Sequence, residues 1–135
     1  MTCVHKYANM RQRRAAPETK VVFYKEEKSV PALEWLDSLP VKAQLKCVAR
    51  IERLKQEGHA LRRPEADLLR DRIDELRVGL QGIHYRLLYF FHGNVAAVLA
   101  HGIVKESAVP PAEIDRAIER RKKYEQNPEK HTHEE

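Results

Sequence analysis

The sequence predicts a small α+β domain whose elements follow the order β-α-α-β-β-β-α. A chain of 135 residues has about the length of one domain, and a hydrophobic content of 42% is enough for an ordinary core. Apolar residues recur at helical spacing in the first part of the domain and at alternate positions from about residue 72. Helices followed by a run of strands are typical of the α+β class, here a small antiparallel sheet with a helical hairpin packed on one face.

The first two elements are a strand and a short helix. The segment KVVFYK, residues 20–25, is β-branched and aromatic, which favours a strand. Ser29 as the N-cap and Pro31 in the first turn then predict a helix over residues 29–38.

The second helix is predicted to begin at Pro40 and to end at Gly58, which is a natural C-cap. Its apolar stripe consists of Val41, Leu45, Val48, Ile51 and Leu54. A neighbouring face carries a row of basic residues, Lys42, Lys46, Arg50 and Arg53. No acidic residue interrupts that row, so it is interpreted either as an RNA-binding surface or as an ordinary solvated face.

Three strands and a final helix follow. The segments RIDELRVG, IHYRLLYFFH and VAAVLAHGIVKE alternate apolar and polar residues, and tight turns are predicted at residues 80–81 and 93–94. Pro110 and Pro111 start a last helix, PAEIDRAIERRKKYEQ. The domain is therefore expected over residues 20–125.

The two ends of the chain are predicted to lie outside the domain. Residues 1–19 are interpreted as a flexible basic arm and residues 126–135 as a polar tail. No segment resembles a signal peptide or a membrane span, so we expect a cytoplasmic protein without a membrane partner. The two cysteines have neither disulfide nor metal-site spacing, and no metal or cofactor is predicted.

Strand pairing decides which side chains share a face. With the predicted turns, Arg77 lies opposite His84, and Arg86 lies opposite both Glu75 and His101. Alternation then gathers a polar set on one face: Glu75, Arg77, His84, Arg86, His101 and Lys105. The other face is predicted to pack against helices: Leu76, Val78, Ile83, Tyr85, Leu87, Tyr89, Phe91, Val98, Ala100 and Val104. An ordinary ion pair between Glu75 and Arg86 is the alternative interpretation of the polar set.

The polar set has the chemistry needed to cleave a phosphodiester. Arg77, Arg86 and Lys105 would hold the phosphate and stabilise the charge that develops on its oxygens. His101 is the predicted general base, with His84 as the second candidate. RNA supplies its own nucleophile, the 2′-hydroxyl, so this chemistry requires neither a metal nor a nucleophilic side chain.

Several segments resemble a known family of proteins. ELRVGLQGIHYRLLYFF, LAHGIVKES and PPAEIDRAIERRKKY, together with LPVKAQLKCVARIERL in the helical hairpin, resemble the RelE/ParE toxin superfamily, in particular its phage-derived HigB-like branch. The resemblance extends over about residues 20–125. One departure is Lys105-Glu106-Ser107, where the branch often has Lys-Lys-Thr.

The resemblance implies a RelE-like fold and the toxin of a type II toxin–antitoxin module. Such toxins cut messenger RNA, usually on the ribosome, through attack of the 2′-hydroxyl on the adjacent phosphate. It also implies a cognate antitoxin, expected to be a helix-turn-helix protein encoded by the adjacent gene. The toxin would contact operator DNA only through this antitoxin. In this family Arg86 matches the arginine assigned to phosphate stabilisation, and Arg77 and Lys105 match basic positions.

Two other functions stay open at the level of sequence. ParE-like relatives inhibit DNA gyrase without catalysis, and the same scaffold could bind nucleic acid without cutting it. The basic residues on the sheet face favour the nuclease, because an inhibitor of a protein does not require a phosphate clamp.

Overall fold

A computed structural model describes residues 18–93, 96–105 and 107–135. It has the predicted α+β class, with a mixed six-stranded sheet where a small antiparallel sheet was expected. The predicted basic arm falls, except for residues 18 and 19, outside the described residues. Within them, no helix has both the length and the apolar character needed to cross a membrane.

The sheet contains more strands than the sequence predicts. Its strands are β1 (Lys20–Tyr24), β2 (Ala66–Arg70), β3 (Ile73–Leu80), β4 (Ile83–His92), β5 (Ala96–Val104) and β6 (Thr132–His133). The helices are α1 (Pro31–Asp37), α2 (Val41–Glu57), α3 (Pro111–Gln126) and α4 (Pro128–His131). The spatial order of the strands is β2-β3-β4-β5-β1-β6, and β1 runs parallel to β5 while the other neighbours are antiparallel.

Both faces of the sheet are covered, each by its own apolar core. The helices α1 and α2 pack on one face, as predicted, against side chains that include Leu76, Tyr85 and Leu99. The helix α3 packs on part of the opposite face, where Leu88 and Phe90 meet Ile114 and Tyr124. Part of the face that was predicted to be open and polar is therefore a second core.

The buried face of α2 differs from the predicted stripe. Ile51 and Leu54 are buried as predicted, but the rest of that face is formed by the small side chains of Ala43 and Cys47. The other three residues of the predicted stripe point to solvent: Val41, Leu45 and Val48 are 69%, 65% and 49% exposed. This part of the prediction is wrong because the largest apolar side chains were assumed to face the sheet, whereas small ones allow a closer approach.

The turn between β3 and β4 lies one residue later than predicted. Gln81 and Gly82 both have positive φ, 53° and 80°, as a two-residue type I′ hairpin requires. Leu80 therefore pairs with Ile83, and Arg77 lies opposite Arg86 instead of His84. Because the pairing moves by two residues, every side chain keeps its predicted face.

The pairing of β4 with β5 also differs from the prediction. His92 pairs with Ala96, and an irregularity between Leu88 and Tyr89 shifts the register again. Arg86 consequently lies opposite Ile103, while His101 lies opposite Leu88. The pairing of His92 with Ala96 moves Val98 and Ala100 into the core under α3, whereas Leu99 joins the core under α1 and α2.

The end of the chain is packed against the sheet, although the sequence predicts a polar tail. His131 is buried and stacks on Tyr24, with 5.3 Å between the ring centroids, and Nδ1 of His131 lies 2.8 Å from the carbonyl oxygen of Lys25. The pairing of β6 with β1 then covers part of the sheet edge.

Ser29 is not the N-cap of α1. That position belongs to Val30, and its side chain makes no capping hydrogen bond. The Ser29 hydroxyl donates to the Glu34 carboxylate (3.0 Å), which also accepts a hydrogen bond from the Val30 backbone N–H (3.3 Å). A side chain of α1 itself thus accepts a hydrogen bond from one of the N–H groups at the helix start that have no partner within the helix.

Candidate active site

A groove of about 310 Å³ lies where β3 continues beyond the end of its neighbour β2. The last pair between the two strands is Ala66 with Leu76, and the next N–H of β3, that of Arg77, donates to the carbonyl oxygen of Glu65 (2.9 Å). Beyond that point the strand edge faces α2. Nη1 of Arg50 donates to the Arg77 carbonyl oxygen at 2.6 Å, so the helix supplies a cation at the edge of the groove.

Two arginines of the predicted site line this groove, Arg77 and Arg86. They are direct cross-strand neighbours on β3 and β4, so their side chains leave the same face of the sheet. Within the described part of the chain, the Arg77 guanidinium has no ion pair or side-chain hydrogen bond. It is therefore the arginine of the pair that is available for a phosphate.

Arg86 has a different environment. Its Nη1 lies 2.7 Å from Oε1 of Glu75, and the side chains are only 9% and 4% exposed. The Nε atom of Arg86 is also buried and has no partner among the described residues. The ion pair considered from the sequence therefore exists, through a diagonal contact, because Glu75 lies opposite Leu88. Arg86 is a buried, paired cation that borders the groove.

His84 and Lys105 lie at the same end of the sheet. His84 is exposed and lines the groove, and its carbonyl oxygen accepts a hydrogen bond from the Lys105 backbone N–H (3.1 Å). Strand alternation places both side chains on the face that carries Arg77 and Arg86. Lys105 is exposed as well, so this end of the face has an imidazole and an ammonium group open to solvent.

His101 is not part of the groove. It is 5% exposed beneath α3, and its Nε2 lies 3.1 Å from Oε1 of Glu113. Burial, with a smaller effect of the Arg120 and Arg116 guanidiniums, lowers the pKa of His101 to about 3. The Glu113 carboxylate favours the opposite direction, but Arg116 already contacts the same oxygen at 3.3 Å. We conclude that His101 is neutral and donates to Glu113 from Nε2.

The basic row of α2 is divided by an acidic residue that the sequence did not suggest. Arg53 makes two hydrogen bonds to the Glu65 carboxylate, both of 3.0 Å, and these bonds lower the pKa of Glu65. Arg50 lies 3.8 Å from the same carboxylate. Lys42 and Lys46 form no ion pair within the described residues, and Nζ of Lys46 lies 3.5 Å from the carbonyl oxygen of Gly79. The open half of the row is thus its N-terminal half, beside the groove.

The sequence missed two contributions to the groove. Arg50 was placed in the basic row of the helix but not at the predicted site on the sheet. Pro64 and Glu65, which also line the groove, precede a strand that the sequence did not predict. Among the described residues, no group of three His, Cys, Asp or Glu side chains is arranged to hold a metal ion.

The comparisons with known proteins identify the family. The model of a family described as Phage derived protein Gp49-like (DUF891) matches residues 34–122, which include most of the helical hairpin, the strands β2 to β5 and most of α3. The chain belongs to the Gp49-like family. This family is toxin-like and associated with RelE- and HigB-type toxins, and its members are typically paired with an antitoxin. A comparison with curated proteins found no match.

The Gp49-like match includes most of the candidate site. Arg50, Arg77, His84 and Arg86, together with Lys105, all lie inside residues 34–122. The family assignment therefore concerns the part of the chain that forms the groove.

Proposed function

We propose that this Gp49-like protein is the toxin of a toxin–antitoxin pair and acts as a metal-independent endoribonuclease on messenger RNA, in the manner of ribosome-dependent interferases. The observation that carries the proposal is the position of Arg77. Its guanidinium has no partner among the described residues. Arg77 pairs across the strands with Arg86, and it lines the same groove as Arg50 and exposed His84. A planar guanidinium in such a site matches two oxygens of a phosphodiester.

In the proposed reaction, the 2′-hydroxyl oxygen attacks the adjacent phosphorus and the bond to the 5′-oxygen breaks. The products are a 2′,3′-cyclic phosphate and a free 5′-hydroxyl. His84 accepts the proton of the 2′-hydroxyl, and Lys105 or water returns a proton to the leaving oxygen. Arg77 stabilises the charge on the phosphate oxygens, and buried Arg86 contributes its charge at the edge of the groove.

His84 replaces His101 as the general base in this proposal. A base must come within hydrogen-bond distance of the substrate hydroxyl, and exposed His84 allows that contact. His101 is buried under α3 and already bonded to Glu113, so RNA does not reach it. We assign the open half of the basic row, Lys42 and Lys46, to the RNA backbone on either side of the cut.

The test is primer-extension mapping of transcripts after brief induction of the wild-type protein and of Arg77→Ala. We expect new 5′ ends with wild type, and cleavage reduced by about 10²–10³-fold in the variant, the usual effect of removing one charge-stabilising group. Arg116→Ala, which removes an exposed arginine from α3, is the matched control and should cleave normally. Unaltered folding of each variant is checked by its melting temperature.

The same induction distinguishes the other functions. Cleavage by Arg77→Ala at the wild-type rate would contradict the proposal that this groove is the active site of the nuclease. Arrest of DNA replication before protein synthesis, without new transcript ends, would favour the ParE-like inhibition of gyrase. Binding of RNA without any cleavage would leave a nucleic-acid-binding module.

A further inference from the structure

The outward side of α2 carries three large, exposed apolar residues that belong to neither core of the described chain. Val41, Leu45 and Val48 are 69%, 65% and 49% exposed and follow one another at intervals of four and three residues. That spacing places them on one line along the helix, which is the seam that a second helix contacts. We call these three residues the outer stripe.

Charge beside the outer stripe is of one sign over the first half of α2. Lys42 and Lys46 are exposed and have no acidic partner within residues 18–93, 96–105 and 107–135. The two acidic residues of the helix occur later and are already paired, Glu52 with Lys55 at 3.0 Å and Glu57 with Arg53 at 3.4 Å. A ligand of the stripe would therefore meet unpaired positive charge at its flank.

We propose that the outer stripe, with Lys42 and Lys46, is a docking site for an acidic amphipathic helix of the antitoxin. The antitoxin's apolar residues would cover Val41, Leu45 and Val48, and its carboxylates would pair with the two lysines. This inference rests on the proposed function for the identity of the partner, since a toxin of this kind has an antitoxin. The surface itself is derived from the exposure and charge of α2.

Charge disfavours the other possible occupants. Two copies of this chain packed stripe to stripe about a two-fold axis would bring Lys42 and Lys46 close to their own equivalents, which is repulsive. The N-terminal segment before residue 18 carries Arg11, Arg13 and Arg14 and no acidic residue, so it does not complement the lysines either. An acidic partner satisfies both the apolar and the charged part of the surface.

The position of the docking site implies how the partner would inhibit. Nζ of Lys46 lies 3.5 Å from the carbonyl oxygen of Gly79, and Arg50, one turn later, contacts the Arg77 carbonyl. The docked helix would therefore lie beside the groove, where its carboxylates compete with RNA phosphates for Lys42 and Lys46. Inhibition would result from the loss of RNA binding, with the groove itself left open.

The test measures binding of the full chain to the small protein encoded by the adjacent gene, by isothermal titration calorimetry. The double variant Leu45→Gln/Val48→Thr removes the apolar contact without adding charge and, at exposed positions, should leave the fold intact. We expect its affinity to fall at least about thirtyfold, as for a central apolar anchor. Leu68→Gln, on a 62% exposed leucine of β2, is the matched control and should bind like wild type.

A second measurement examines the charged part. Lys42→Gln/Lys46→Gln should weaken binding and reduce its dependence on salt, and the wild-type complex should bind a short fluorescent RNA less well than the free chain does. Equal affinity of the Leu45→Gln/Val48→Thr variant and wild type, or no binding by wild type, would overturn the docking site. Self-association that this variant abolishes would assign the stripe to a second copy instead.

RNA cleavage by the free chain separates this inference from the proposed function. The outer stripe lies outside the groove, so the Leu45→Gln/Val48→Thr variant should cleave as wild type does and should escape inhibition by the antitoxin. Absence of cleavage in every form would contradict the endoribonuclease alone. Full inhibition of the cleaving variant by the antitoxin would contradict the docking site alone.

Discussion

The buried pair of Glu75 and Arg86 should make a large contribution to stability that any test of the groove must take into account. The two side chains are 4% and 9% exposed and 2.7 Å apart. Removing one partner leaves a buried charge without its counter-ion, which costs about 3–5 kcal/mol. For a domain of this length that corresponds to a fall in melting temperature of about 12–20 °C. We expect this loss for Arg86→Ala and for Glu75→Gln.

Replacing both partners should be far less harmful. In Glu75→Leu/Arg86→Met no buried charge remains, and the unpartnered Nε of Arg86 is removed as well. The free energy of unfolding should therefore return to within about 1–2 kcal/mol of wild type. Urea unfolding of the two single variants and the double variant, as a double-mutant cycle, measures the coupling directly.

An exposed pair provides the control. Lys20 and Glu134 are 3.1 Å apart, a similar distance, but both side chains are 58% exposed. Glu134→Gln should change stability by less than about 1 kcal/mol, because solvent screens such pairs. Single changes at Glu75 or Arg86 that cost no more than this control would refute a stabilising role for the buried pair. A double variant that lost the sum of the two single losses would refute the coupling between the two residues.

The same cycle changes how loss of activity in Arg86→Ala is interpreted. Such a variant can lose cleavage because it unfolds, so it says little about chemistry by itself. The folded Glu75→Leu/Arg86→Met protein shows instead what the reaction loses when the whole pair is absent from an intact fold. Arg77, which is unpaired in the described structure, remains the cleaner position for measuring the effect of a guanidinium charge.

The remaining predictions concern His101 and Gly102. Folding lowers the pKa of His101 to about 3 and keeps the ring neutral. Between pH 6.5 and pH 3 the unfolded chain therefore binds a proton that the folded chain does not, so the free energy of unfolding decreases as the pH falls. His101→Leu should reduce the decrease in the free energy of unfolding between pH 7 and pH 4.5. A decrease as large as that of wild type would contradict this prediction. A Cβ at Gly102 would overlap the Trp35 ring, so Gly102→Ala should destabilise by about 1–3 kcal/mol. Gly79→Ala, with nothing near its Cβ, is the control, and equal melting temperatures for the two variants would contradict the packing argument.

Local patterns predicted most of the elements and their faces on the central hairpin. Alternation in β3 and β4 puts Arg77, His84 and Arg86 on one side, and this result survived the misplaced turn because a shift of two residues preserves the face. The prediction was weaker for β5, where the pairing of His92 with Ala96 changes the face of Val98, and the irregularity near Leu88 then shifts the partner of Arg86 once more. Such irregularities depend on packing between elements and leave no reliable local signal.

Other errors have the same origin. The stripe of α2 was assigned from hydrophobicity alone, but the side chains that face the sheet are those that fit the available space, including Ala43 and Cys47. The strand β2 was missed because its sequence, ADLLR, is short and half exposed, and it forms only because β3 offers an edge. The buried position of His131 likewise follows from the contact with Tyr24, which is distant in the sequence.

The sequence by itself determined the class of the fold, the order of its main elements and the set of basic residues on one face of β3 and β4. Periodicity and alternation are properties of a short segment, and they are the same wherever that helix or strand packs in the fold. Only the tertiary structure decided which of those residues are accessible. The packing of α3 buries His101, and the short strand β2 leaves the sheet edge at Arg77 open. The ion pair with Glu75 makes Arg86 a buried, paired cation, unlike Arg77. Burial and ion pairing depend on contacts between segments far apart in the chain, which the sequence does not reveal.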